Sequence, residues 1–303
     1  MIDNFKLFAL DKHKVDDHII KKEVVELQSY FNYATGELKE YPKKGKDLNL
    51  EINICQKSTI IKGSLHKYHN EKAKKGNQNF DDFYFSQIEK QIRGLIKKYK
   101  IENSTSITNL EFGFNLAVEK DPQIILDSNI LMNNLKAPNK NLKFSGKGDL
   151  KEFQMTDYSI KIYNKSKQFK LDTNILRVEL KITQKRFLQK LGIFKLEDLL
   201  NKDTFFRLFE VLRDKIGGLV ILDSFQDKMM LETDKDKLNK YSNPNYWINL
   251  KSTKSHKQIC RLKKDFDNLL NKYELLQTKN KILENLENKF IELLEIKEYQ
   301  KIA

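Results

Sequence analysis

Two short segments of the chain combine a strand-like alternation with chemically reactive side chains. Residues 158–165 read YSIKIYNK, and residues 176–182 read LRVELKI. Successive side chains of a strand point to opposite faces, so the polar residues of each segment share a face. The polar faces carry Lys161, Tyr163, Lys165, Arg177, Glu179 and Lys181. This set suits chemistry on a phosphodiester, because tyrosine can be a nucleophile, cations can neutralise phosphate and a carboxylate can hold a divalent metal.

Two tyrosines of the first segment are candidate nucleophiles. Tyr163 lies on the polar face between Lys161 and Lys165, and neighbouring cations favour the tyrosinate form. Tyr158 stands three residues before Lys161 in a Tyr-x-x-Lys spacing, although strict alternation assigns it to the apolar face. Both tyrosines remain open as the residue that attacks DNA, and Lys161 and Lys165 are the expected phosphate contacts.

Two glutamates and one histidine are candidate ligands of a divalent metal. Glu111 is in the middle of the alternating segment at residues 109–118, and Glu179 is in the middle of the second polar segment. His66 is near the end of residues 59–68, which read as a strand running into a loop. A charge in a buried strand is costly unless it is paired or coordinated. The glutamates therefore either hold Mg²⁺ or Mn²⁺ or pair with cations on neighbouring strands.

The charge of the chain indicates a polyanionic partner. It has 303 residues and a net charge of +14, from 56 Lys and Arg against 42 Asp and Glu. Nucleic acid fits this balance better than a membrane, because no apolar run approaches the roughly 18–20 residues of a spanning helix. The N-terminus lacks a signal-peptide pattern. The two cysteines, Cys55 and Cys260, are far apart, which argues against a disulfide framework and favours a reducing, cytoplasmic compartment.

The hydrophobic pattern predicts a strand-rich region followed by a helical one. Strands are expected at residues 19–27 and 48–54, joined by a turn-rich connection at residues 32–47. Residues 82–100 have the apolar spacing of a helix. Ser255 is placed to cap a long amphipathic helix towards the C-terminus.

These patterns divide the chain into a domain at residues 1–230 and a helical region at residues 231–303. The apolar spacing of the second region fits a hairpin that folds back on the main domain, and it also fits a dimerising coiled coil. Its possible partners are DNA, a helicase or a second copy of the chain.

Five short motifs follow one another between residues 63 and 180. They are residues 63–68 (GSLHKY), 76–83 (GNQNFDDF), 109–115 (NLEFGFN), 160–165 (IKIYNK) and 176–180 (LRVEL). Taken together and in this order, they resemble the rolling-circle replication initiators of the filamentous-phage gene II/gene X type and their relatives on bacterial mobile elements. The resemblance covers roughly half of the chain.

The resemblance implies an α+β fold in which an antiparallel sheet is flanked by helices, as in related nickases. It also implies a metal-dependent endonuclease that nicks one strand of an origin, forms a 5′-phosphotyrosyl link and leaves a 3′-OH that primes synthesis. The implied partner is single-stranded or supercoiled origin DNA. Lys67, Arg177 and Lys181 are the expected DNA contacts, because their cations can neutralise phosphate. Two alternatives stay open: a non-catalytic origin-binding protein, and a related conjugative relaxase.

Overall fold

A ten-stranded antiparallel sheet forms the centre of the protein. The computed structural model describes residues 1–9, 12–101, 105–142 and 149–296 of the chain. The strands among them are β1 (Ile2–Ala9), β2 (Leu27–Asn32), β3 (Glu37–Asp47), β4 (Leu50–Ile54), β5 (Thr59–Ser64), β6 (Thr105–Ala117), β7 (Ile130–Asn133), β8 (Lys140–Leu142), β9 (Leu150–Gln154), β10 (Tyr158–Asn164), β11 (Ile175–Ile182) and β12 (Leu219–Ile221). The sheet order is β2-β3-β4-β5-β1-β6-β11-β10-β9-β8, and β12 pairs separately with β7.

Helices follow or connect these strands. Those described are α1 (Lys12–Lys21), α2 (Leu65–Lys72), α3 (Phe85–Tyr99), α4 (Pro122–Ile124), α5 (Lys165–Phe169), α6 (Lys185–Lys190), α7 (Lys202–Gly217), α8 (Glu232–Tyr241), α9 (Pro244–Thr253), α10 (His256–Lys272) and α11 (Gln277–Leu293). A π-helical turn at Ile125–Asn129 and a 3-10 helix at Leu196–Leu200 complete the set. Within the described part of the chain, no helix is both long and apolar enough to cross a membrane.

The main core lies between one face of the sheet and helices α3, α7 and α11. Phe114 of β6 contacts Phe209 of α7 and Phe290 of α11, with ring centroids 6.1 Å and 6.2 Å apart. Phe209 and Phe290 stack face to face at 4.0 Å. Because strand residues alternate between faces, the same strands present their polar residues on the opposite side of the sheet.

A bulge in β1 directs two polar side chains onto that opposite side. Between Ile2 and Phe5, β1 advances by three residues while its partner β6 advances by two. An extra residue in one strand of a pair re-aims the neighbouring side chains. Asp3 and Asn4 are consecutive, yet both lie near Glu111 of β6.

The C-terminal helices contribute to two separate cores. Helices α8, α9 and α10 enclose a second apolar cluster that includes Trp247 and Phe266. Helix α11 returns to the main core, where Leu286 and Phe290 are buried. The division between residues 230 and 231 stays a prediction, and residues 297–303 lie outside the described residues.

The α+β prediction is confirmed, because the described chain has an antiparallel sheet flanked by helices and a helical C-terminal region. The helix expected at residues 82–100 is α3. Ser255 caps α10 as expected, and its side chain accepts a hydrogen bond from the backbone amide of Gln258.

Three local predictions are wrong, each because tertiary contacts outweigh the local pattern. Residues 19–27 are not one strand, because Ile19 packs into the core as part of α1 and β2 starts only at Leu27. The connection expected at residues 32–47 contains β3, which pairs with both β2 and β4. The strand expected at residues 59–68 ends at Ser64, whose side chain caps α2. Strand β1 was not anticipated.

Candidate active site

The polar face of the sheet opens into a cleft where β1, β6, β11 and β10 lie side by side. The cleft has a volume of about 500 Å³. Its chemically reactive lining residues are Asp3, Lys67, Glu111, Lys161, Tyr163, Lys165 and Glu179. Most of the residues that the sequence nominated for chemistry are therefore neighbours in space.

Three buried carboxylates form the centre of this cleft. Asp3, Glu111 and Glu179 each offer an oxygen, and these oxygens lie within 4.8 Å of one another. Glu111 and Glu179 come from the neighbouring strands β6 and β11. Asp3 reaches them through the β1 bulge. The sequence nominated the two glutamates but missed Asp3.

Asp3 is held by an extensive set of hydrogen bonds and charges. The hydroxyl of Ser64 donates to Oδ1 of Asp3, and Nδ2 of Asn79 donates to Oδ2 at 2.8 Å. Arg177 lies near the same carboxylate, with Nη2 at 3.9 Å from Oδ2. Burial opposes ionisation of Asp3, but Arg177 and Lys165 outweigh it and lower its pKa to about 2. Asp3 is therefore an anion at neutral pH.

Lys161 bridges the two glutamates. Its Nζ donates to Oε1 of Glu111 at 2.8 Å and to Oε1 of Glu179 at 3.2 Å. Burial opposes the charge of Lys161, but Glu179 and Glu111 outweigh it and raise its pKa. Burial and the charge of Glu111 raise the pKa of Glu179 to about 7. The cation pairing that the sequence left as an alternative is thus present, and Glu179 still faces excess negative charge.

The two candidate tyrosines lie on opposite faces of β10. The hydroxyl of Tyr163 is 3.3 Å from Oε2 of Glu179, inside the cleft. Burial and Glu179 raise the pKa of Tyr163 well above 10, so the cations do not produce the tyrosinate that the sequence suggested. Tyr158 packs instead against Phe187, with ring centroids 5.2 Å apart, and is not among the residues that line the cleft.

Lys165 and Arg177 are buried beside Tyr163. Lys165 is the first residue of α5, and its Nζ donates to Oδ1 of Asn79 at 2.7 Å. Burial and the charge of Arg177 lower the pKa of Lys165 to about 7. Arg177 has 3% of its side chain exposed and contacts Asp3 and Glu179, so it faces the acidic cluster and not the protein surface.

Two other predicted DNA contacts remain accessible. Lys67 lies in the first turn of α2 and lines the cleft. Lys181 lies on β11 with 38% of its side chain exposed, and its Nζ is 3.3 Å from Oε1 of Glu111. These lysines border the carboxylates on the solvent side.

His66 does not join the carboxylate cluster. It lies on α2, because the strand that precedes it ends at Ser64. Its Nε2 is 2.8 Å from Oδ1 of Asp81, and its ring stacks on Phe83 with centroids 4.7 Å apart. Burial lowers the pKa of His66 to about 4. The geometry therefore offers Asp3, and not His66, as the third ligand beside the two glutamates.

The carboxylate cluster fits a hard divalent cation. Three oxygen donors converge within 4.8 Å, and Mg²⁺ and Mn²⁺ prefer carboxylate oxygens. The raised pKa of Glu179 reflects burial and negative charge from Glu111, which a bound divalent cation would relieve. Among the described residues, this is the one group of three or more acidic, histidine or cysteine side chains with such spacing.

The alternation pattern around Asp3 predicts the wrong face of β1 for its side chain. Residues 3–9 alternate as expected for a strand, with Phe5 and Leu7 on the core side. Strict alternation would place Asp3 on that same side. The bulge that reverses its direction depends on pairing with β6, which local sequence does not encode. Asn79 lies in one of the five motifs, and its hydrogen bonds to Asp3 and Lys165 become visible only in the folded structure.

No protein-family profile matches this sequence, and no curated protein matches it. Among solved structures, the chain is similar to the rolling circle replication initiator protein from Geobacillus stearothermophilus. The two share 11% sequence identity with a TM-score of 0.43, and the alignment covers 82% of this chain and 94% of that chain. The fold and the site described above rest on the chain's own residues.

Proposed function

We propose that the chain is a metal-dependent endonuclease that nicks one strand of DNA at a replication origin through Tyr163, and so initiates rolling-circle replication. One observation carries this proposal: the Tyr163 hydroxyl lies 3.3 Å from Glu179, which belongs to a buried cluster of three carboxylates in an open cleft. The resemblance of the five sequence motifs to such initiators supports the choice of an origin as the target and of replication as the biological role.

Tyr163 is the proposed nucleophile. Its raised pKa keeps the hydroxyl protonated, so attack requires a base. Oε2 of Glu179 is the proposed acceptor of the proton as the tyrosine oxygen bonds to phosphorus, and the other oxygen of the same carboxylate, Oε1, is the proposed metal ligand. The bond between phosphorus and the 3′ oxygen breaks in the same step, and the 3′ oxygen takes up a proton from solvent water as it leaves. The 5′ phosphate stays on Tyr163, and a free 3′-OH remains.

Asp3, Glu111 and Glu179 are the proposed metal ligands. A divalent ion held there would neutralise charge on the attacked phosphate and the leaving oxygen. Ser64 and Asn79 orient Asp3 through hydrogen bonds, and Arg177 keeps it ionised. These contacts hold the carboxylate ready before substrate arrives, which reduces the reorganisation required in the reaction.

Lysines at the rim are the proposed contacts to the DNA backbone. Lys67 lines the cleft, and Lys181 contacts Glu111 of the cleft. Lys165 also lines the cleft, with its Nζ 5.4 Å from the centre of the Tyr163 ring. The net charge of +14 adds a general electrostatic attraction between the protein and a polyanion such as DNA. Arg177 is too buried for a backbone contact at the surface, so its proposed role is to position Asp3 and Glu179.

A second candidate function is a non-catalytic origin-binding protein. The observation that favours it is Lys161, whose ammonium donates to both Glu111 and Glu179 and so neutralises part of their charge. In that case chelation of divalent ions would leave DNA binding unchanged and there would be no cleavage.

A conjugative relaxase would share the proposed chemistry. Action in the cytoplasm, dimerisation and helicase binding through the C-terminal helices are further proposals.

A covalent trapping experiment tests the lead proposal without knowledge of the origin. The protein is incubated with Mn²⁺ and a pool of single strands that carry a random central region and a 3′ label. A denaturant-resistant protein–DNA adduct is expected, and sequencing of the trapped strands would reveal the preferred site. The absence of any adduct with either Mg²⁺ or Mn²⁺ would overturn the nicking proposal.

Two matched substitutions identify the nucleophile. Tyr163→Phe removes one oxygen atom inside the cleft, whereas Tyr158→Phe removes one on the other face of the same strand. We expect Tyr163→Phe to abolish the adduct and Tyr158→Phe to retain it. Peptide mapping of the wild-type adduct should place the DNA on Tyr163. An adduct that survives in Tyr163→Phe would contradict the assignment.

A further inference from the structure

The hairpin of β2 and β3, at one edge of the sheet, carries an exposed aromatic ring. Tyr30 and Phe31 are neighbours on β2, with 48% and 52% of their surfaces exposed. Tyr30 is opposite Lys39 and Phe31 is opposite Leu38, so the two rings lie on opposite faces of the hairpin. Nζ of Lys44 donates to the hydroxyl of Tyr30 at 2.5 Å. Nζ of Lys44 also lies 5.0 Å from the centre of the Tyr30 ring.

A polar groove of about 610 Å³ lies on the same side as Tyr30. Its polar lining residues are Glu26, Gln28, Lys44, Lys46, Glu51, Asn53 and Lys62. Lys44 and Gln28 face each other across β2 and β3, and Lys44 also contacts Tyr30. Tyr30 does not line the groove, but its contact with Lys44 places it next to the groove.

The groove also reaches the carboxylate cleft. Glu51 lines both cavities. The strand register places Lys46, Glu51, Lys62 and Lys6 in one row across β3, β4, β5 and β1. Strands are about 4.8 Å apart, so the row spans about 14 Å of sheet. Nζ of Lys62 pairs with Glu51 at 2.9 Å, which leaves lysine as the prevailing charge along the row.

We propose that this groove binds the single strand of DNA that continues from the cleft, and that Tyr30 stacks on one of its unpaired bases. The inference rests on the proposed nicking function and adds the path of the substrate. A groove whose lysines can track the phosphates, with an exposed aromatic ring beside Lys44, is the arrangement that binds single strands without sequence preference. Duplex DNA has no unpaired base for Tyr30.

A second copy of the chain is the competing occupant of this edge. Strand β2 is the last strand of the sheet, so another β-strand could pair with it. However, the ladder of β2 has a register shift between Gln28 and Tyr30, and irregular edges disfavour strand addition. The groove side also carries lysines, which would meet the same lysines in a symmetric partner.

Equilibrium binding of a labelled 20-nucleotide oligo(dT) tests the inference in the presence of EDTA, where no cleavage occurs. Stacking on an aromatic ring contributes about 1–3 kcal/mol per base. We therefore expect Tyr30→Ala to weaken oligo(dT) binding at least about fivefold, and Tyr30→Phe to bind within about twofold of wild type because it keeps the ring. Binding to a 20-base-pair duplex should change less than twofold in either variant.

Phe31→Ala is the matched control, because it removes an equally exposed ring from the same strand on the opposite face. Equal losses in Tyr30→Ala and Phe31→Ala, or no loss in Tyr30→Ala, would overturn the proposed path. A monomer–dimer shift in Tyr30→Ala without an affinity change would also overturn it. If oligo(dT) binding depends on Tyr30 but no covalent adduct forms, the path stands and the nicking proposal fails. If adducts form but Tyr30→Ala binds normally, only the path fails.

Discussion

Glu179 of β11 lies directly opposite Gly113 of β6 on the polar face of the sheet. A Cβ atom at Gly113 would lie 2.3 Å from the carbonyl oxygen of Val178 and 2.8 Å from Cα of Glu179. No side chain therefore fits between the two strands at this point. The close approach helps to bring Glu179 within reach of the other two carboxylates of the cleft.

Gly113→Ala should separate the strands at the site. We expect a loss of about 1–3 kcal/mol in the free energy of unfolding, because the added methyl group collides with backbone and not with a flexible side chain. Mn²⁺ binding, measured by calorimetry, should weaken in the fraction that folds.

Gly94→Ala provides the control for the glycine substitution. A Cβ at Gly94 would meet nothing within 4 Å, and this glycine lies inside helix α3. Alanine is favoured over glycine in a helix by about 0.5–1 kcal/mol, so this variant should gain stability. Equal effects of the two substitutions would contradict the steric argument.

Lys161→Met tests whether the ammonium and a metal compete for the same oxygens. Removing one partner of a buried ion pair costs about 3–5 kcal/mol, so the metal-free variant should be clearly less stable. Glu111 and Glu179 then lose their bridging cation. We expect saturating Mn²⁺ to raise the melting temperature more in Lys161→Met than in wild type, because binding no longer displaces a lysine.

Lys181→Met is the comparison for that experiment. Lys181 also contacts Glu111 but is 38% exposed, so its loss should cost little and should leave the Mn²⁺ effect near that of wild type. If Mn²⁺ stabilises Lys161→Met no more than it stabilises Lys181→Met, the competition does not exist.

His66 should make the protein less stable as the solution becomes acidic. Its folded pKa is about 4, below the ordinary value of 6.5, because it is buried. Between these values the unfolded chain binds more protons than the folded one, so stability falls as the pH falls from 6.5 to 4. Glu179, with a raised pKa of about 7, acts in the opposite direction. Urea unfolding should show that the difference in unfolding free energy between wild type and His66→Gln becomes smaller as the pH falls from 6.5 to 4.

Helix α11 should be necessary for the stability of the main core. Phe290 is fully buried and stacks on Phe209 at 4.0 Å. Truncation of a buried aromatic residue costs about 3–5 kcal/mol, so Phe290→Ala should strongly lower the unfolding free energy. Phe194→Ala, at a residue 52% exposed, should change the unfolding free energy little.

By the same reasoning, a chain that ends at residue 230 should not fold by itself, because it lacks helix α11. Cooperative unfolding of that fragment would contradict this prediction.

The sequence by itself determined which residues share a face of each strand. Period-2 alternation in residues 109–118, 158–165 and 176–182 placed Glu111, Glu179, Lys161 and Tyr163 on polar faces. In the structure these three strands are consecutive in the sheet, in the order β6, β11, β10. Alternation is a local property of the extended backbone, and therefore it can be read without knowledge of the fold.

Only the tertiary structure decided which of these residues meet, and with what partners. Asp3 joins the carboxylate cluster through a bulge that exists only when β1 pairs with β6. His66 is not part of the cluster, because β5 ends at Ser64 and His66 lies on the helix that Ser64 caps. The pKa of Tyr163 depends on burial and on Glu179, a residue of another strand. Strand order, bulges and desolvation arise from contacts between distant segments, so local sequence patterns do not contain them.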